Sequence, residues 1–133
     1  MRIWHALPLV VAVMTLAGCG SVSEQRAGVS AVALRLLTAV NANDGAAACV
    51  VLAPDTRAEL EQTAGKPCAE AIVEEALPKP GTVRSSAVYG QWAQVVLSDD
   101  TLFLAAFPGG WRVVAAGCHP RGQRPYDCAL QGG

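Results

Sequence analysis

The sequence predicts an α+β domain in which N-terminal helices pack on a four-stranded antiparallel sheet formed by the C-terminal half. Three observations carry this prediction. Apolar residues recur at helical spacing from Val29 to Val40, Pro78-Lys79-Pro80-Gly81 closes the helical half, and from Thr82 β-branched and aromatic residues alternate with closely spaced turn signals. The domain is assigned to residues 29–133.

Ahead of it, Arg2 precedes an apolar stretch from Ile3 to Leu16, followed by Ala17-Gly18-Cys19. Charge, apolar run and small residues in that order read as a secretory signal over residues 1–18. The run is shorter than the ~20 residues that a membrane span requires. Leu16-Ala17-Gly18-Cys19 resembles the lipobox of bacterial lipoproteins, in which the cysteine thiol is lipidated. The resemblance implies cleavage after Gly18, a lipid-modified Cys19, and attachment to the extracytoplasmic side of the cell membrane by acyl chains of the palmitate type. One chain holds a protein only marginally, whereas two or more give a durable anchor. Gly20 to Gly28 is short and polar and is expected to be a flexible part of a lipidated tether over residues 19–28.

From Val29, the stripe Val29, Val32, Ala33, Leu36, Leu37 and Val40 predicts the longest helix, stopping at Asn41-Ala42-Asn43-Asp44-Gly45. A short helix is expected from Asp44 to Leu52 with Asp44 as its cap. A third opens at Pro54 and ends near Ala64, where Gly65 is a natural stop. Pro67 opens a fourth, to about Leu77, with Cys68, Ile72, Val73 and Ala76 facing inward. Four strands follow: Val83 to Tyr89, Trp92 to Leu97, Thr101 to Phe107 and Trp111 to Ala116. Their joints at Gly90, Asp99-Asp100 and Pro108-Gly109-Gly110 are short enough to require antiparallel hairpins. Both alternating sets of the third strand are apolar, so its second face needs cover from a folded-back tail, a ligand or another chain. His119 to Gly133 lacks periodicity and is expected to be an irregular tail pinned at Cys128.

The chain has five cysteines. Assigning Cys19 to the lipid leaves Cys49, Cys68, Cys118 and Cys128, which in an oxidising compartment read as two disulfides with three possible pairings. The local pairs, Cys49 with Cys68 and Cys118 with Cys128, are favoured. No CxxC occurs and His119 is the one histidine after the signal, so no metal site is assigned and no cofactor is expected. Of ten Lys and Arg against eleven Asp and Glu, Arg2 leaves with the signal, giving a net charge of −2. That balance argues against nucleic acid as a partner.

No phosphate loop, nucleophile elbow, HExxH pair or calcium loop is present. Only Arg84 and Arg112 carry charge within the expected strands, which therefore supply no proton acceptor. A small anion-binding or partner-binding surface is offered by His119 beside Arg121, Arg124, Tyr126 and Asp127, in a loop that a Cys118–Cys128 bond would make compact, and Arg84 and Arg112 are further candidate binding residues on the strands. Trp92 and Trp111 are expected to pack in the core, and Asp99-Asp100 to stabilise a turn.

The order of these features resembles a group of small, uncharacterised actinobacterial lipoproteins with an NTF2-like cone, in which helices wrap a curved sheet. Its carriers are the lipobox, Cys49 with Pro54, Lys66-Pro67-Cys68-Ala69, Asp100-Thr101-Leu102-Phe103-Leu104, Gly110-Trp111-Arg112-Val113, Ala116-Gly117-Cys118 and Pro125-Tyr126-Asp127-Cys128. The resemblance implies location and shape, while NTF2-like domains include both enzymes and binding proteins. The expected function is a non-catalytic binding domain for a small apolar ligand or an envelope protein. The alternative is an isomerase or hydrolase drawing its base from Asp55, Glu59 or His119.

If Cys19 carries the lipid, Cys19→Ser shifts the protein from the membrane to the soluble fraction, and mass analysis finds an acyl adduct on the wild type alone. A membrane-bound variant, with no adduct on the wild type, contradicts the assignment.

Overall fold

The computed structural model describes residues 21–132; the signal and Cys19 lie outside the described residues. The helical half comprises α1 (Val22–Asn41), α2 (Gly45–Val50), α3 (Pro54–Ala64) and α4 (Cys68–Ala71), the last prolonged by a 3-10 turn over Ile72–Glu74. Five strands follow: β1 (Val83–Tyr89), β2 (Trp92–Leu97), β3 (Thr101–Phe107), β4 (Gly110–Arg121) and β5 (Arg124–Gln131). They form one antiparallel sheet in chain order. No described helix is long and apolar enough to cross a membrane.

Three expectations are corrected. The helix predicted from Val29 begins at Val22, so most of the expected flexible tether is helical. Its start is fixed by a capping box: the Ser21 hydroxyl accepts from the Glu24 N–H, and the Glu24 carboxylate accepts from the Ser21 N–H. The sheet has five strands rather than four, because β4 runs past Ala116 to Arg121 and the supposed irregular tail returns as β5 across a Gly122-Gln123 turn. The fourth helix is shorter than expected, tightening to 3-10 geometry after Ala71.

The core lies between the helices and one face of the sheet. Val29, Ala33, Leu36 and Leu37 of α1 are buried, as are Val95, Leu102, Leu104 and Val113 of the strands. The strand residues alternate, so a single face supplies them. Trp111 packs at the border of this cluster, as expected.

α2 sits hard against α4. A Cβ on Gly45 would collide with the Ala69 carbonyl, so glycine alone permits that approach. The Cys49–Cys68 disulfide ties the same two helices, with Cα atoms 6.2 Å apart. Cys118–Cys128 links β4 to β5 between directly opposed residues. Both disulfides are the favoured local pairs.

The linker from α2 to α3 completes the sheet. Val113 N–H donates to Val51 C=O at 2.8 Å and Ala53 N–H donates to Val113 C=O at 2.8 Å, forming a short parallel bridge on the free side of β4. Further along, the Val114 carbonyl accepts from the buried Thr56 hydroxyl and from Gly132 N–H, both at 3.0 Å. The start of α3 and the end of β5 are thereby pinned to one point on β4.

Replacing Cys49 and Cys68 together by alanine is expected to lower stability by about 3 kcal/mol, the value for a loop of this length. Denaturant unfolding of the oxidised protein and the double variant measures it, and equal midpoints would show that the bond contributes nothing.

Candidate functional site

The second face of the sheet is only partly covered. β3 presents Phe103, Ala105 and Phe107 there, and β2 presents Trp92, Gln94 and Val96, by alternation with the buried inner set. The cover comes from the β4–β5 hairpin. Tyr126 of β5 sets its ring against Phe103 edge-to-face, with centroids 5.1 Å apart, and its hydroxyl receives the Gln94 amide at 3.3 Å. β5 is three positions from β2 in the sheet, ~14 Å at ordinary strand spacing. The hairpin must therefore curl back over the outer face to make these contacts.

The curl begins at Gly117. This residue has φ +64°, and a Cβ there would lie 2.9 Å from that of Ala129 and 3.0 Å from Leu77 Cδ2. Only glycine meets both conditions cheaply. Beside it, β4 has parted from β3, their last pair being Phe103 with Ala115. The buried Asp100 carboxylate supplies the missing acceptors, taking Gly117 N–H at 3.2 Å, Cys118 N–H at 3.1 Å and Thr101 N–H at 2.7 Å. Burial pushes its carboxyl above the ordinary 3.8, while these three N–H groups and the charge of His119 pull it partly back. Asp100 does more than stabilise its own turn: it holds the bend.

Between the curled hairpin, the sheet and the start of α3 lies a cleft of about 440 Å³. Its sheet wall is Trp92, Phe103, Ala105 and Phe107; Tyr126 and Cys128 close one side; and Ala53, Asp55 and Thr56 close the other. Trp92, expected in the core, is instead 61% exposed and lines this cleft. Asp55 is the one carboxylate among its lining residues.

The other singled-out residues are dispersed. Arg84 is exposed on the edge strand β1. Arg112 donates to the Val50 carbonyl and borders a separate groove with Arg35 and Trp111. His119 lines a shallow polar groove beside Asp99 and Asp100. Arg121 donates to Pro125 C=O at 3.0 Å and faces Arg124 at the hairpin tip. None of these five is among the residues lining the apolar cleft. Glu59, one turn along α3 from Asp55, borders a third groove with Glu75. Among the described residues, no three His, Cys, Asp or Glu side chains converge as a metal site would require.

The fold and cleft define an α+β domain with a bent antiparallel meander and an apolar pocket on its outer face. No family model matches this sequence, and no curated protein or solved structure matches it either.

Two measurements test the bend. Asp100→Ala orphans three N–H groups and is expected to cost at least about 3 kcal/mol, from 1–3 kcal/mol per unsatisfied group. Because the folded value is raised, the native state keeps a proton that the unfolded chain releases. This contribution to stability is full below pH 3.8 and is lost as pH rises through the raised folded value. Relative to Asp100→Asn, the wild type should lose stability with rising pH across that window; a pH-independent difference would contradict the assignment.

Proposed function

We propose that this protein is a cell-envelope lipoprotein, held on the extracytoplasmic side of the membrane through acylated Cys19, whose domain binds a small apolar ligand in the outer-face cleft. The observation that carries the reading is the cleft itself. Its volume falls in the ~300–1,000 Å³ range of small-molecule sites, and its walls are aromatic and aliphatic with few polar groups, the usual make-up of such a pocket. The tail of the domain folds over the face yet leaves this space open. Two disulfides in a small domain fit an oxidising compartment outside the cytoplasm.

The likeness to NTF2-like lipoproteins is part of the same proposal. It is supported by helices that precede a bent antiparallel sheet and by a pocket set against that sheet. The strands run in unbroken chain order, and the cleft lies on the face away from α1, so any kinship lies in general plan.

The enzymatic alternative retains one observation in its favour, Asp55 at the cleft wall. Acid-base chemistry needs a partner that receives or returns the proton, and the cleft lining offers Asp55 no histidine or second acid. Binding is the reading that the residues favour.

The neutral probe N-phenyl-1-naphthylamine tests it. Its fluorescence should rise saturably with the wild-type domain. Ala105→Leu, which places a larger side chain in the floor of the cleft, should abolish the rise without lowering the unfolding midpoint. No saturable binding to the wild type, or binding that survives Ala105→Leu, overturns the reading.

A further inference from the structure

The lining of the outer-face cleft is informative about the charge of what it holds. Trp92, Phe103, Phe107 and Tyr126 are aromatic, and Asp55 supplies a carboxylate with no Lys, Arg or His among the lining residues to answer it. An aromatic ring is negative on its face, so the face attracts a cation, and tryptophan does so most strongly. Trp92 is the exposed member of the four, the other three being half-buried.

Asp55 is held in place from both sides. Pro54 presets the backbone at the first position of α3. Ala53 N–H donates to Val113 C=O at 2.8 Å, and the buried Thr56 hydroxyl donates to Val114 C=O at 3.0 Å. The chain on either side of Asp55 is thereby tied to β4, whose Val114 and Ala115 also line the cleft. The carboxylate itself is not neutralised from within: among the described residues the two ion pairs are Arg57 with Glu61 and Lys66 with Glu74. Arg57, two residues beyond Asp55, projects from a different side of the helix.

The aromatic rings and the carboxylate select the same sign. A neutral apolar molecule filling the cleft takes water from Asp55 and returns no bond, which costs free energy. An anion meets both the carboxylate and the negative ring faces. An ammonium group offsets the lost hydration of Asp55 and is attracted to the rings, while an apolar body covers the rest of the wall.

We propose that the ligand of this cleft is an amphiphilic organic cation, an apolar body bearing one ammonium group that pairs with Asp55. The proposal rests on the binding reading above, so the experiment separates the two.

The exported Cys19→Ser protein, which carries no acyl chain to compete for the cleft, is loaded with N-phenyl-1-naphthylamine. Three competitors share a naphthalene body: 1-naphthylmethylamine, protonated at neutral pH, uncharged 1-naphthalenemethanol and anionic 1-naphthoate. The amine should displace the probe at about one tenth of the concentration that the alcohol requires, the gain expected when an ion pair and a cation–π contact add to the same apolar burial. The naphthoate should be the weakest. Asp55→Asn keeps the shape and removes the charge, and the amine's advantage over the alcohol should largely vanish in it. Rising salt should shrink the same advantage in the parent protein, with no change at position 55. Where the probe binds, an advantage that is absent from the parent, undiminished in Asp55→Asn or independent of salt overturns the cation alone. Failure of the probe and all three competitors to bind overturns the cleft reading and this proposal together.

Discussion

Where β4 parts from β3 after Ala115, the N–H groups of Gly117 and Cys118 lose their strand partner, and the buried Asp100 carboxylate receives both. Much of what distinguishes the domain from a plain helix-backed sheet follows from that contact. A buried carboxylate is costly unless its oxygens are bonded, and three N–H donors at 2.7–3.2 Å offset the cost. With the bend fixed, Tyr126 reaches Phe103 and Gln94, and the hairpin becomes a roof. A straight β4 would carry β5 on in the plane of the sheet and leave Phe103 bare.

The two faces divide the work. The inner face, with α1 and the clamped pair α2 and α4, holds the large buried side chains and accounts for most of the stability. The outer face retains open volume that closer packing of the hairpin would remove. Thr56 and Gly132, both bonded to the Val114 carbonyl, fix the far wall of that space, so the cleft is bounded on both sides by backbone rather than by mobile side chains alone. Filling it with a ligand would add apolar contact without breaking a hydrogen bond described above.

The helices and first three strands were legible because their signals are local. Pro54 and Gly65 bracket α3, and short turns bracket β1, β2 and β3. Counting cysteines gave two disulfides with three possible pairings, and the observed pairs are the favoured local ones. The Ser21 and Glu24 capping box was also present in the sequence, but the polar run around it reads as a tether unless that motif is given precedence. β5 was less legible, since its outward residues include Arg124, Pro125 and Asp127 and its pairing depends on β4 continuing past a glycine. The cleft was half legible. Two apolar faces on β3 implied a cover, and the folded-back tail was among the three candidates. The space left under it depends on the three-dimensional meeting of Asp100 with Gly117, which no local pattern announces. Trp92 was misplaced because a strand-end aromatic has the same local signature whether its face is packed or open.

The early start of α1 bears on function as much as on fold. Nine loose residues would let the domain turn freely above a membrane, and any face could meet any partner. A helix that begins at Val22 leaves two residues between it and Cys19, so on the proposed reading the first turn of the domain is held close to the anchor. Trp92 stands open to solvent in the wall of the cleft. On the proposed reading the short tether keeps this cleft near the membrane, where a long one would let it range freely.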